Sequence, residues 1–129
     1  MNFQRIRIVA MLCLTLALFL SLGRDLLAAD PQSARKDLQQ MGLQYTEQQF
    51  AKSAGEGDKV AVQLFLDAGM DVNAGGGAAL GLAAGRGKVE MVKFLLSKGA
   101  KPTSDALQYA RTRGHKEIEK LLLDAGAKE

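Results

Sequence analysis

The stretch LGLAAGRGKVEMVKFLLSKGA, residues 80–100, decides how the rest of the chain is read. Gly85, Arg86 and Gly87 separate two apolar segments. The second brings Val89, Met91, Val92, Phe94, Leu95 and Leu96 together at helical spacing before Gly99 stops it. In the first segment Ala83 and Ala84 are small enough for a neighbouring helix to come close. The stretch predicts a helical hairpin with one crowded, small-residue side.

The same layout occurs twice more. Aligned on the mid-hairpin glycine, GDKVAVQLFLDAGMDVN begins at Gly57, GKVEMVKFLLSKGAKPT at Gly87 and GHKEIEKLLLDAGAKE at Gly114. A second glycine follows in each copy, at Gly69, Gly99 and Gly126, and Gly42 begins this helix-ending series with intervals of 27, 30 and 27 residues. A near-constant interval of this length marks a stack of like units, none of which buries its apolar face alone.

On these residues the chain resembles the ankyrin-repeat family. The family's paired alanines, Gly-His, apolar outer helix, Gly-Ala and later Asn are matched by Ala83 and Ala84, Gly114 and His115, Met91 to Leu96, Gly126 and Ala127, and Asn73, over residues 38–127. The resemblance implies an all-α fold, an ankyrin-like helical-hairpin solenoid of about three repeats plus an N-terminal capping helix; the pattern of residues 1–29 adds a signal-peptide helix before it. The divisions are a leader at 1–29, the capping helix at 30–45, and repeats at 46–74, 75–102 and 103–129. The family's Thr-Pro-Leu-His opening is absent, and the connections at 73–80 and 103–107 are short for its β-hairpin. The projecting fingers are therefore expected to be trimmed or missing.

Composition agrees with small interlocking helices: 47% of the 129 residues are hydrophobic, 5% are aromatic and there is no tryptophan. The whole chain carries +3; without residues 1–29 it loses Arg5, Arg7, Arg24 and Asp25 and falls to +1, too balanced for a nucleic-acid face. Cys13, the single cysteine, lies in the leader, so the remainder has no disulfide to draw on.

Residues 1–29 read as an export signal. Arg5 and Arg7 precede an apolar run at 8–22, short of the about 20 residues a membrane span needs, and the small Ala28 and Ala29 place cleavage after Ala29, with Gly23, at the end of Ser-Leu-Gly, as a second candidate. The alternative is an uncleaved anchor in the inner membrane. Cys13 sits mid-run behind Met11 and Leu12, which does not fit a lipid-attachment site.

Downstream, Pro31 opens a helix on which Ala34, Leu38 and Met41 share a face, and Gly42 closes it. Thr46 with Gln49 predicts a capping box, and Asp58 an N-cap. Phe50, Ser53 and Ala54 belong to the first inner helix, and Val62, Leu64, Phe65 and Leu66 to its outer partner. Gly75, Gly76 and Gly77 interrupt the pattern and are expected to form the loosest internal loop. In the third copy Arg111 replaces Ala54 and Ala84, and Glu119 replaces Val62 and Val92, as a terminal unit with no further repeat on that side requires.

Catalytic and metal chemistry find little footing. His115 is the single histidine, and the resemblance gives its imidazole the role of capping local backbone. The run Gly85, Arg86, Gly87, Lys88 lacks the earlier glycine and following Ser or Thr of a phosphate loop, with Leu82 and Val89 in those places. Asp71 and Asn73 lack the further ligands of a calcium loop and read as a turn, and one histidine without cysteine makes no zinc site. Glu117 and Glu119 point to different sides of one helix, so no carboxylate pair argues for acid–base work.

The resemblance then implies a non-catalytic protein–protein interaction module, without cofactor, metal, nucleic acid or small-molecule substrate. Its partner is another protein, with a membrane involved if the leader is retained. Exported, it would act in the periplasm or outside the cell as an adaptor or accessory protein; uncleaved, it would be a membrane-tethered scaffold. Carried over position by position, the concave side would present Glu47, Lys52 and Glu56 from repeat one, Arg86 from repeat two, and Gln108, Tyr109, Thr112 and Arg113 from repeat three. Tyr109 and the two arginines have the character of binding anchors.

Overall fold

The computed structural model describes residues 30–129. The leader, its cleavage point after Ala29, the signal-peptide helix and Cys13 lie outside the described residues. Seven helices and no strand occur among those described: α1 (Pro31–Gln40), α2 (Glu47–Glu56), α3 (Lys59–Asp67), α4 (Ala74–Gly85), α5 (Val89–Ser97), α6 (Ser104–Thr112) and α7 (Lys116–Asp124). The connections between repeats are bare turns, so the trimmed fingers foreseen from the sequence are a feature of the fold.

Helix starts follow from side-chain caps. Thr46 Oγ1 accepts the Gln49 amide at 3.2 Å, Asp58 Oδ1 the Ala61 amide at 3.0 Å, and Thr103 Oγ1 the Ala106 amide at 3.2 Å. The reciprocal half of the box at Thr46 is not used, because the Thr46 amide donates to the Gln44 carbonyl at 2.8 Å. Helix ends follow from glycine. At Gly87 the backbone turns left-handed (φ +71°), its amide returns to Ala84 O, and the Lys88 amide reaches Ala83 O at 2.9 Å. Gly57 and Gly114 repeat this closure, which satisfies the last carbonyls of each inner helix and reverses the chain into the outer one.

The helices lie in two rows. The inner helices α2, α4 and α6 pack side by side, and the outer helices α3, α5 and α7 each cover their own inner partner. The helix α1 lies against α3 in the outer row and buries Ala34 and Leu38. Met41, expected on that buried face, is exposed: the helix stops at Gln40 and Met41 falls in the turn.

Between the rows runs a continuous core. Phe50, Ala54, Leu80, Ala83, Ala84, Leu107 and Ala110 enter from the inner side and Val62, Phe65, Val92, Leu95, Ile118 and Leu122 from the outer. Burying each of the Phe, Leu, Ile and Val side chains among them is worth about 1.5–3 kcal/mol, the term that holds the stack together in the absence of disulfides. The outer row is joined more loosely than the inner. Lys59 Nζ stands 5.0 Å from the Phe94 ring centre between α3 and α5, and Lys93 Nζ meets Glu117 at 3.5 Å between α5 and α7.

The triple glycine is a shaped element, where the sequence suggested a loose loop. Gly75, Gly76 and Gly77 all take left-handed angles (φ +63°, +69° and +85°), and the Gly77 amide bonds the Asn73 carbonyl at 3.0 Å. Gly77 is buried, and a side chain there would meet Thr103 Cγ2 at 3.4 Å. Asn73 fixes the same corner from the other side. Its Oδ1 accepts the Lys101 amide at 2.8 Å, and its own amide donates to Asp71 Oδ1 at 2.8 Å.

Candidate protein-binding face

All eight side chains singled out from the sequence, Glu47, Lys52, Glu56, Arg86, Gln108, Tyr109, Thr112 and Arg113, are exposed. The stack brings some of them together and not others. Arg86, Tyr109 and Arg113 line one cleft of about 400 Å³ with Gly81, Leu82 and Gly85. Glu47 lines a second cleft of about 450 Å³, and Leu82 is the wall the two share. Lys52 and Glu56 face each other (3.9 Å), both more than half exposed. Gln108 lines a separate hollow with Arg111 and Glu129, and the Thr112 hydroxyl donates back to the Tyr109 carbonyl at 3.2 Å.

The repeat interval explains this distribution. Advancing Lys52 by 30 and then 27 residues gives Leu82 and Tyr109; advancing Glu56 gives Arg86 and Arg113. These positions reach back toward the preceding repeat. Advancing Ala51 and Gly55 gives Gly81 and Gly85, then Gln108 and Thr112, and these positions receive the next repeat. A Cβ added to Gly55 would lie 3.1 Å from Leu82 Cβ and 3.3 Å from Arg86 Cδ. One added to Gly81 would lie 3.6 Å from Tyr109 Cε2, and one on Gly85 3.4 Å from Tyr109 Cβ. Tyr109 therefore lies over a glycine floor, half its surface still open (51% exposed), with Leu82 beside it (37%).

Leu82 was not among the residues picked from the sequence. It stands at the position of Lys52 and Tyr109, and counting along the repeat would have found it. Gln108 and Thr112 occupy receiving positions on α6, where no described helix follows, which separates them from the cleft.

Charge on this face is uneven. Lys52 and Glu56 offset each other in repeat one, while neither Arg86 nor Arg113 has an ion-pair partner among the described residues. Arg111, by contrast, is held between carboxylates: its Nε donates to Glu119 Oε1 at 2.9 Å and its Nη2 to Glu129. Those bonds, to Glu129 first and Glu119 second, raise its pKa, and the hydrogen bonds from Arg111 and then Lys116 hold the Glu119 carboxyl below its ordinary range.

His115 does not cap its own turn. Its Nε2 donates to the Gly85 carbonyl one repeat back (3.3 Å), and the ring covers Gly87, where a Cβ would come within 2.7 Å of His115 Cε1. The histidine is thus a strut between repeats two and three. Among the described residues no group of three or more His, Cys, Asp or Glu could hold a metal ion, and no helix is long and apolar enough to cross a membrane.

The family model described as "Ankyrin repeats (3 copies)" matches residues 49–129. No curated protein matches the chain.

Proposed function

The chain belongs to the ankyrin-repeat family, and from that premise we propose that it is a non-catalytic adaptor that grips another exported protein on its inner-helix face. Ankyrin repeats are in general protein–protein interaction modules, built to present a surface across several units. One observation carries the reading for this chain: Leu82, set over Gly55, and Tyr109, set over Gly81 and Gly85, are two large side chains left partly open, and they line one cleft with Arg86 and Arg113. Tyrosine and arginine around a concave apolar patch are the residue types that dominate binding energy at protein interfaces. Export is read from the basic, apolar leader at 1–29, which supports a protein acting in the periplasm or outside the cell. If the leader is uncut, the same face works from the inner membrane.

Two measurements test this. Co-purification from the compartment in which the protein resides should yield a partner that the double variant Arg86→Glu, Arg113→Glu loses; a partner kept in full by that variant removes this face. Intact mass should give a mature chain beginning at Asp30, whereas a mass that includes residues 1–29 assigns the tethered form.

A further inference from the structure

We propose that the cleft between α4 and α6 takes an acidic segment of a partner protein, an aromatic or large aliphatic side chain of that segment packing against the open faces of Tyr109 and Leu82 while carboxylates on either side meet Arg86 and Arg113. This rests on the inner-helix face being the binding surface, and adds which chemistry it selects.

Three observations point to that occupant. Gly81 and Gly85 are buried beneath the Tyr109 side chain, so a guest side chain meets the open flanks of Tyr109 and Leu82. At about 400 Å³ the cleft has room for a large side chain together with part of the segment that carries it. The two arginines occupy equivalent positions in successive repeats, each one residue before the left-handed glycine that ends its inner helix, and both line this cleft. Both are exposed and neither has an ion-pair partner among the described residues, in contrast to Arg111, which two glutamates hold. A guanidinium binds a carboxylate with two parallel hydrogen bonds. An unpaired pair of guanidiniums beside an open aromatic ring repels basic guests and favours acidic ones.

The test uses fluorescein-labelled peptides and the full-length protein, read by fluorescence anisotropy. One probe is Asp-Glu-Gly-Phe-Gly-Glu-Asp; a second replaces each acidic residue by lysine, and a third replaces phenylalanine by serine. The acidic phenylalanine peptide is expected to bind, and the lysine peptide to show no measurable binding. The serine peptide should bind at least about tenfold more weakly, because it lacks the buried anchor. Arg86→Gln with Arg113→Gln should weaken the acidic peptide about tenfold. Raising salt from about 0.05 to about 0.5 M should weaken it as well, since exposed charges are screened over that range.

Acidic-peptide binding unchanged by the double glutamine variant overturns the proposal, as does equal binding of the lysine peptide. Should the lysine peptide bind and be lost with Leu82→Glu, the inner-helix face stands and its acidic selectivity falls. Binding lost with none of these changes would remove the face as well. Capture of phosphatidylglycerol vesicles through Arg86 and Arg113, with no peptide bound, would put a lipid surface in the partner's place and overturn the assignment. Circular dichroism of each variant guards against loss of the fold, and the glutamine variants alter exposed side chains without touching the core.

Discussion

The two ends of the described stack face the same problem, an inner and an outer helix with one side uncovered, and meet it with different means. At the N-terminal end α1 lies against α3 and buries Ala34 and Leu38, so the outer row is closed by apolar packing. At the C-terminal end Arg111 and Glu119 stand where the interior copies have Ala84 and Val92, and they pair with each other and with Glu129 and Lys116. Along the inner row each end is polar on the half of the joint it does not use. Repeat one has Lys52 and Glu56 at the reaching positions, and repeat three has Gln108 and Thr112 at the receiving ones. One end is thus closed by a helix and the other by charge, and the two should fail differently.

The largest effect is expected at the apolar end. Leu38→Ala removes a fully buried side chain and should lower the free energy of unfolding by about 2–5 kcal/mol in urea titration. For a unit of this size each kcal/mol moves the melting temperature by about 4–8 °C. A loss under about 1 kcal/mol would mean that α1 is an ornament on the outer row and no part of the closure.

A joint inside the stack sets the scale between the ends. Gly87→Ala forces a left-handed backbone on an L-residue, at about 1–2 kcal/mol, and drives its Cβ into the His115 ring. In a His115→Ala background the steric part should vanish and the backbone part remain. A double-mutant cycle in which the two changes simply add would show that His115 does not cover Gly87.

At the charged end, Arg111→Ala combined with Glu119→Val restores the interior identities. The monomer should keep its helical content and melt within a few degrees of the parent, while sedimentation shows concentration-dependent self-association through the newly apolar end. A variant that stays monomeric would take the sealing role away from this pair. The smallest effect is a pH dependence. Because the folded pKa of Glu119 lies below its ordinary 4.5, its contribution is fully present above that value and is lost as pH falls through the folded pKa. Glu119→Gln should therefore lose that contribution at neutral pH, a small drop in stability, and flatten the acid side of the curve, so that variant and parent converge as pH falls well below 4.5. An unaltered acid limb would mean that the pair is screened out in solution.

Much of the fold was legible because glycine marks left-handed turns and does so at a fixed interval. Gly57, Gly87 and Gly114 could be aligned with no knowledge of packing, and Arg111 and Glu119 were visible as breaks in the pattern that alignment set up. The hand of the triple glycine was not legible, since glycine takes either hand about equally, and the bond from Gly77 to the Asn73 carbonyl belongs to the folded corner. Nor was the partner of His115, because Gly85 is thirty residues away and meets it through stacking alone. Of the candidate face, the exposure of the eight chosen side chains could be foreseen, but not that Arg86, Tyr109 and Arg113 share one cleft while Gln108 lines another. Leu82 was hidden by its apolar type, which reads as core in a sequence and stands at the rim in the structure.

The most direct test of the stacked arrangement is a proton NMR measurement of short-range contacts across the joint of repeats two and three. The account predicts nuclear Overhauser effects between the Tyr109 ring and the α-protons of Gly81 and Gly85, together with contacts from the His115 ring to Gly87. A Tyr109 ring that shows contacts within its own helix alone, with none to either glycine, would contradict it.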